Sequence, residues 1–108
     1  MRAGVRLLCN RGGDGLTKEQ KKAVRRALRQ YGRGVAMAES WREAVEEGLR
    51  RCDAEDPLWG ELLRLRYVHH MDEPKVVERL FVCQTTYYRK ELEALGVVAV
   101  EAARRGLI

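Results

Sequence analysis

Apolar positions recur along this chain at helical rather than strand spacing, and they divide it into about five amphipathic segments. Ala23, Val24, Ala27, Leu28 and Tyr31 form one buried stripe, with Lys and Arg filling the remaining positions. Thr17 and Gln20, three apart, have the form of a capping box, which starts this first helix at residue 17; Gly32 and Gly34 loosen or end it. Met37, Trp41, Ala44, Val45, Gly48, Leu49 and Cys52 make the stripe of a second helix over about 35–52, opposite Glu39, Glu43, Glu46 and Glu47. That acidic face is suited to docking on the basic first helix as an antiparallel pair. A polar hinge follows at 53–57, and Pro57 suits the start of a third helix over about 58–70.

The best-defined stretch comes next. Asp72 can cap a short helix in which Pro74 occupies the first turn and Val76, Val77 and Leu80 face inward. Phe81-Val82 leaves room for only a tight turn, and apolar Val82 predicts that the turn is anchored in the core. From Cys83 the chain restarts as a helix with Tyr87, Ala94, Leu95 and Val98 inward, while polar and cationic side chains crowd its leading half. This is the layout of a helix-turn-helix reading head. After Gly96 the helix continues or restarts. The apolar end (Val97, Val98, Val100, Leu107, Ile108) predicts either a homodimer contact through the C-terminal helix or packing back on the first helices. The expected fold is therefore all-α: a flexible tail over 1–16, a helical pair over 17–56, a helix-turn-helix over 58–98 and an extension over 99–108.

Charge sharpens this picture. The net charge of +5 is uneven. Residues 1–35 hold ten Lys or Arg against two acids, whereas 36–60 hold three against seven acids. A basic first third attracts phosphate irrespective of base sequence, though a charge run alone more often marks a solvated face. With 108 residues the chain is long enough for one real core. It contains no run long and apolar enough for a membrane span or signal peptide, and its three cysteines suit a reduced, cytoplasmic protein. Cys52, Cys83, His69 and His70 lack any clustered ligand spacing, so neither a metal nor another cofactor is expected. No Ser/His/Asp set, phosphate-cradling glycine loop or paired-acid motif points to an enzyme.

Glu61–Tyr67, Met71-Asp72, Val76–Leu80, Thr86-Tyr87-Tyr88-Arg89 and Glu93-Ala94-Leu95 together resemble the helix-turn-helix of sigma-factor region four. They are closer still to the phage-type transcriptional regulators related to RinA and ArpU, in the Thr-Tyr-Tyr-Arg start of the reading helix. The resemblance spans about residues 61–99 and implies a DNA-binding regulator of late or prophage genes. Two departures stand out: Val77 replaces the usual alanine, and Glu91 takes a position usually aliphatic, which hints at a shallow or partner-covered core.

Because the first turns of a reading helix enter the major groove, Gln84, Thr85, Tyr88 and Arg89 are the expected base contacts. Thr86, Lys90, Lys75, Lys21, Lys22 and Arg25 are the expected phosphate contacts. The expected partner is double-stranded DNA, with RNA polymerase as a further one. The rival reading is a non-enzymatic interaction module that docks on polymerase or a phage packaging component and touches no bases; the near-neutral charge of the reading segment keeps it open.

Overall fold

A 21-residue helix, Gln84–Arg104, forms the spine of the molecule. The computed structural model describes residues 16–108, and among them there are five helices and no strand. These are α1 (Lys18–Arg33), α2 (Glu39–Glu55), α3 (Pro57–Leu63, continued by a π-helical stretch over Arg64–Val68), α4 (Glu73–Leu80) and α5, the spine. The all-α class is as the periodicity predicts. The expected tail lies outside the described residues except for Leu16, which packs half-buried against the core.

The capping box at the start of α1 is complete. Thr17 Oγ1 accepts from the Gln20 amide, and Gln20 Oε1 accepts from the Thr17 amide, each at 3.0 Å. At the other end only Gly34 stops the helix, in the left-handed conformation (φ 71°). Gly32 lies inside the last turn and serves packing instead: a Cβ there would stand 2.6 Å from both Tyr67 O and Val68 Cα.

The second helix starts at Glu39 rather than 35 and runs on to Glu55. Its apolar face (Ala44, Val45, Gly48, Leu49, Cys52) is buried as expected, but mainly against α5. Gly48 permits the close crossing, since a Cβ would come within 2.8 Å of Val98 Cγ2. Its acids consequently do not neutralise α1. Glu39 pairs with Arg42, Glu47 with Arg50 and Glu43 with Arg105; only Glu46 reaches α1, accepting from the Tyr31 hydroxyl at 3.3 Å. The expected docking of acidic face on basic face is thus replaced by apolar packing on the spine.

Nor does a five-residue hinge separate α2 from α3. Asp56 alone makes the break, its carboxylate accepting from the Leu58 amide at 3.1 Å while Pro57 opens α3. Beyond Leu63 the helix widens. The His69 amide reaches back to Arg64 O at 2.8 Å, the five-residue step of a π turn. Leu65 and Tyr67 are buried by this stretch, whereas His69 and His70 end it exposed.

Asp72 occupies the N-cap of α4, but its carboxylate takes no capping bond. Its backbone carbonyl accepts from both the Lys75 and Val76 amides at 3.0 Å, and Pro74 removes another donor, so little is left to cap. Val82 is half-buried against the core, as the sequence predicts for the turn. Phe81 does the opposite: it adopts a left-handed conformation (φ 57°) and its side chain is 94% exposed. α5 passes through Gly96 without interruption, and Ile108 folds back on the core. No helix among the described residues is long and apolar enough to cross a membrane.

Candidate nucleic-acid interface

The buried stripe of α5 fixes which side chains of its first turns remain outside. Tyr87, Glu91, Ala94, Leu95 and Val98 face inward at helical spacing. Gln84, Thr85, Tyr88 and Arg89 are exposed, and Thr86 is half-buried with its hydroxyl 3.2 Å from Cys83 Sγ. Arg89 and Lys75 carry no ion pair among the described residues.

Two of these four exposed residues are not independent. The Tyr88 hydroxyl donates to Glu73 Oε2 at 2.7 Å, and Gln84 Nε2 donates to the same oxygen at 3.2 Å and to Tyr88 Oη at 3.3 Å. Donation from Tyr88, then from Gln84, holds the Glu73 carboxyl below its usual range, while the Tyr88 hydroxyl is shifted upward by the same bond. A carboxylate from the start of α4 therefore stands within the polar face of α5. Its 11- and 15-residue separations from Gln84 and Tyr88 carry no sequence signal; only the α4–α5 turn creates the cluster.

Behind this face lies a buried network. Glu91, 7% exposed, accepts from the Tyr67 hydroxyl and lies 3.7 Å from Arg25 Nη2; Arg25 Nε in turn donates to Tyr67 Oη at 3.2 Å. Burial first, and then the Glu91 charge, raises the Tyr67 hydroxyl and pushes that of Tyr87 up to about 12, so both stay neutral. The hint of a shallow or partner-covered core at Glu91 is corrected here: the side chain is covered within the chain and partnered from α1 and the π stretch.

That network changes the expected phosphate contacts. Arg25 is committed to Glu91 and Tyr67. Lys90 turns toward α3, 2.8 Å from Asp56 Oδ2 and 3.8 Å from Glu93 Oε1. Neither presents a free ammonium or guanidinium to a ligand. Lys21 and Lys22 remain without ion pairs, and of the seven cations of α1 only Arg25 has one among the described residues. Lys18, Lys22, Arg25 and Arg29 recur at helical spacing along one flank of α1. That flank borders the face just described, because Arg25 and Arg29 line one cleft with Glu73 and Tyr88.

Sequence reasoning passed over Glu73, Arg29, Arg66 and Phe81. The π stretch that brings Arg66 against Tyr67 leaves no periodic trace, and nothing in the Phe81-Val82 pair says which of the two the turn exposes. No family model, curated protein or solved structure matches the chain.

Proposed function

We propose that the protein is a sequence-specific DNA-binding transcription regulator, of the phage or prophage kind, that inserts the start of α5 into the major groove. One observation carries this reading: Gln84, Thr85, Tyr88 and Arg89 stand exposed on the leading turns of a helix flanked by the unpaired cations of α1. Amide, hydroxyl and guanidinium groups in that position meet base edges, while Lys21 and Lys22 meet phosphates beside the groove. Lys75 and Thr86 supply further backbone contacts. A homodimer through α5's exposed Val100, placing two heads on paired half-sites, and contact with RNA polymerase belong to the same proposal.

Selection of binders from a random duplex pool, followed by anisotropy titration of the enriched and the starting duplexes across salt concentrations, tests it. Enrichment of a defined motif and a specificity ratio above about 10³ support the reading. Equal affinity for all duplexes, or none, overturns it. Phe81 favours one other reading. A phenyl ring 94% exposed at the tip of a turn is unlike a mere spacer and suits docking on a protein such as polymerase or a packaging component. Pull-down of a partner lost on Phe81→Ser, with no motif enriched, would identify that function instead.

A further inference from the structure

A cleft of about 440 Å³ lies between α1, the π stretch and the leading turns of α5. Its charges are not equally available. Glu91 is satisfied by Tyr67 and Arg25, and Glu73 by Tyr88 and Gln84. Arg29 makes no ion pair among the described residues, and neither does Arg66, whose partners are neutral: Met71 O, at a long 3.4 Å, and the Tyr87 hydroxyl. Two guanidinium groups thus remain for an external anion. Each is held near the Tyr67 ring, with Cζ 5.3 Å (Arg29) and 5.5 Å (Arg66) from its centroid. The ring is itself fixed by the hydroxyl bond to Glu91.

We infer that Arg29 and Arg66, stacked against Tyr67, form a clamp for one DNA backbone phosphate on the strand bordering the groove that α5 enters. Stacking fixes the two forks before the anion arrives, so less side-chain entropy is lost on binding than by free surface lysines. Planar guanidinium donors match phosphate oxygens in pairs. Tyr88 at the same cleft places the phosphate beside the base-reading face and sets the register in which Gln84 and Arg89 meet the bases. The inference rests on the DNA-binding reading. It adds two residues from separate elements, neither in the leading turns of α5, and removes Arg25 from the phosphate contacts.

The test is anisotropy of the full chain on its selected duplex, scanned with single neutral methylphosphonate substitutions. At one position the substitution should weaken wild type about tenfold yet leave the Arg29→Ala/Arg66→Ala variant unaffected. The log–log salt slope of that variant should fall by about 0.9, the value for one phosphate, on preferred and random duplexes alike. Arg29→Lys/Arg66→Lys keeps charge and should recover the slope but only part of the affinity; its circular dichroism and that of the Ala variant must match wild type. If wild type binds duplex and no position couples to the two arginines, the clamp is wrong while the DNA reading stands. If wild type binds no duplex, both fall. Loss confined to one base sequence would make these residues base readers and would also overturn the clamp.

Discussion

The hydroxyl of Tyr88, on the second turn of α5, donates across 2.7 Å to Glu73 at the start of α4, fifteen residues earlier. This one contact couples the orientation of a proposed base reader to the helix in front of it, and the amide of Gln84 shares the same oxygen. A side chain already held in place loses less rotamer freedom on binding, but the carboxylate that holds it repels the phosphate backbone. On the proposed reading, Glu73 trades affinity for discrimination.

Replacing it separates the two effects. Glu73→Gln retains an acceptor and removes the charge, so affinity for random duplexes should rise about threefold to fivefold, the scale of one contact-distance charge pair in water. Glu73→Ala removes both, and should in addition lower the ratio of preferred to random binding by freeing Gln84 and Tyr88. Anisotropy titrations on both duplex sets check this. An unchanged ratio in the Ala variant would show that the cluster does not orient the readers.

Gly32 makes a prediction against ordinary helix propensity. Exchange of a glycine within a helix for alanine gains about 1 kcal/mol when nothing else changes. Here the added methyl would meet the backbone of Tyr67 and Val68 at 2.6 Å, and backbone atoms cannot rotate away. Gly32→Ala should instead lower stability by about 1–3 kcal/mol, the range for overpacked sites, as read by urea denaturation. Separating α1 from the π stretch should also disturb Arg29 over Tyr67, so DNA affinity falls with stability. A stabilised Gly32→Ala would refute the close approach of the two backbones.

The same residue shows what the sequence could and could not convey. Local chemistry was legible: the Thr17–Gln20 box, the left-handed stop at Gly34, Pro57 and Pro74 at helix starts, and the buried run from Tyr87 to Val98. Each depends on neighbours within a turn or two. Gly32 read as a helix end because its reason lies 35 residues away in Tyr67. The π turn at Arg64–Val68 is likewise held by packing, so no spacing announces it. The leading face of α5 was legible as a set of exposed polar positions. Its connection to Glu73, and the capture of Arg25 by Glu91 and of Lys90 by Asp56, required the fold, because opposite charges distant in sequence carry no record of having met. The exposure of Phe81 was not legible for a plain reason: hydrophobicity states a preference for burial, and a turn too tight to bring both Phe81 and Val82 inward satisfies only one.

At the far end of α5, Glu101 is only 2% exposed and is met by Arg51 at 2.9 Å, Arg105 at 3.0 Å and Arg104 at 3.5 Å. Burial alone would raise its carboxyl, but the hydrogen bonds from Arg105 and Arg51 and the charges of Arg104 and Arg51 outweigh it and hold the group below the usual range. A carboxyl depressed in the folded state contributes stability that is present above its unfolded value, about 4.3, and is lost as pH falls through the lower folded value. Glu101→Gln should therefore cost about 1–3 kcal/mol at pH 7, less than a fully buried pair because the arginines retain water. Wild type should lose that advantage as pH falls below the unfolded value and through the lower folded one, where the two proteins converge. Denaturant melts at three pH values check this, and a constant difference across them would assign the stabilisation to packing rather than charge.

The proposed division of labour between the leading face of α5 and the flank of α1 is open to a paired substitution. Gln84→Ala and Arg89→Ala remove exposed groups aimed at base edges, each contact contributing about 1–3 kcal/mol of discrimination. Their loss should appear almost wholly on the preferred duplex and scarcely on random ones. Lys21→Ala and Lys22→Ala remove unpaired cations that read no base. Their loss should weaken every duplex by a similar factor and lower the salt slope by about 1 for each phosphate contact removed. Arg25→Ala should behave unlike either set: its guanidinium is engaged with Glu91 and Tyr67, so its removal should reduce stability before it alters the salt slope. Salt titrations of all five variants on preferred and random duplexes, alongside their melting curves, give each class its own signature. If the α5 and α1 variants lose affinity equally on every sequence, α5 acts as one more basic surface, and major-groove reading by this helix is excluded.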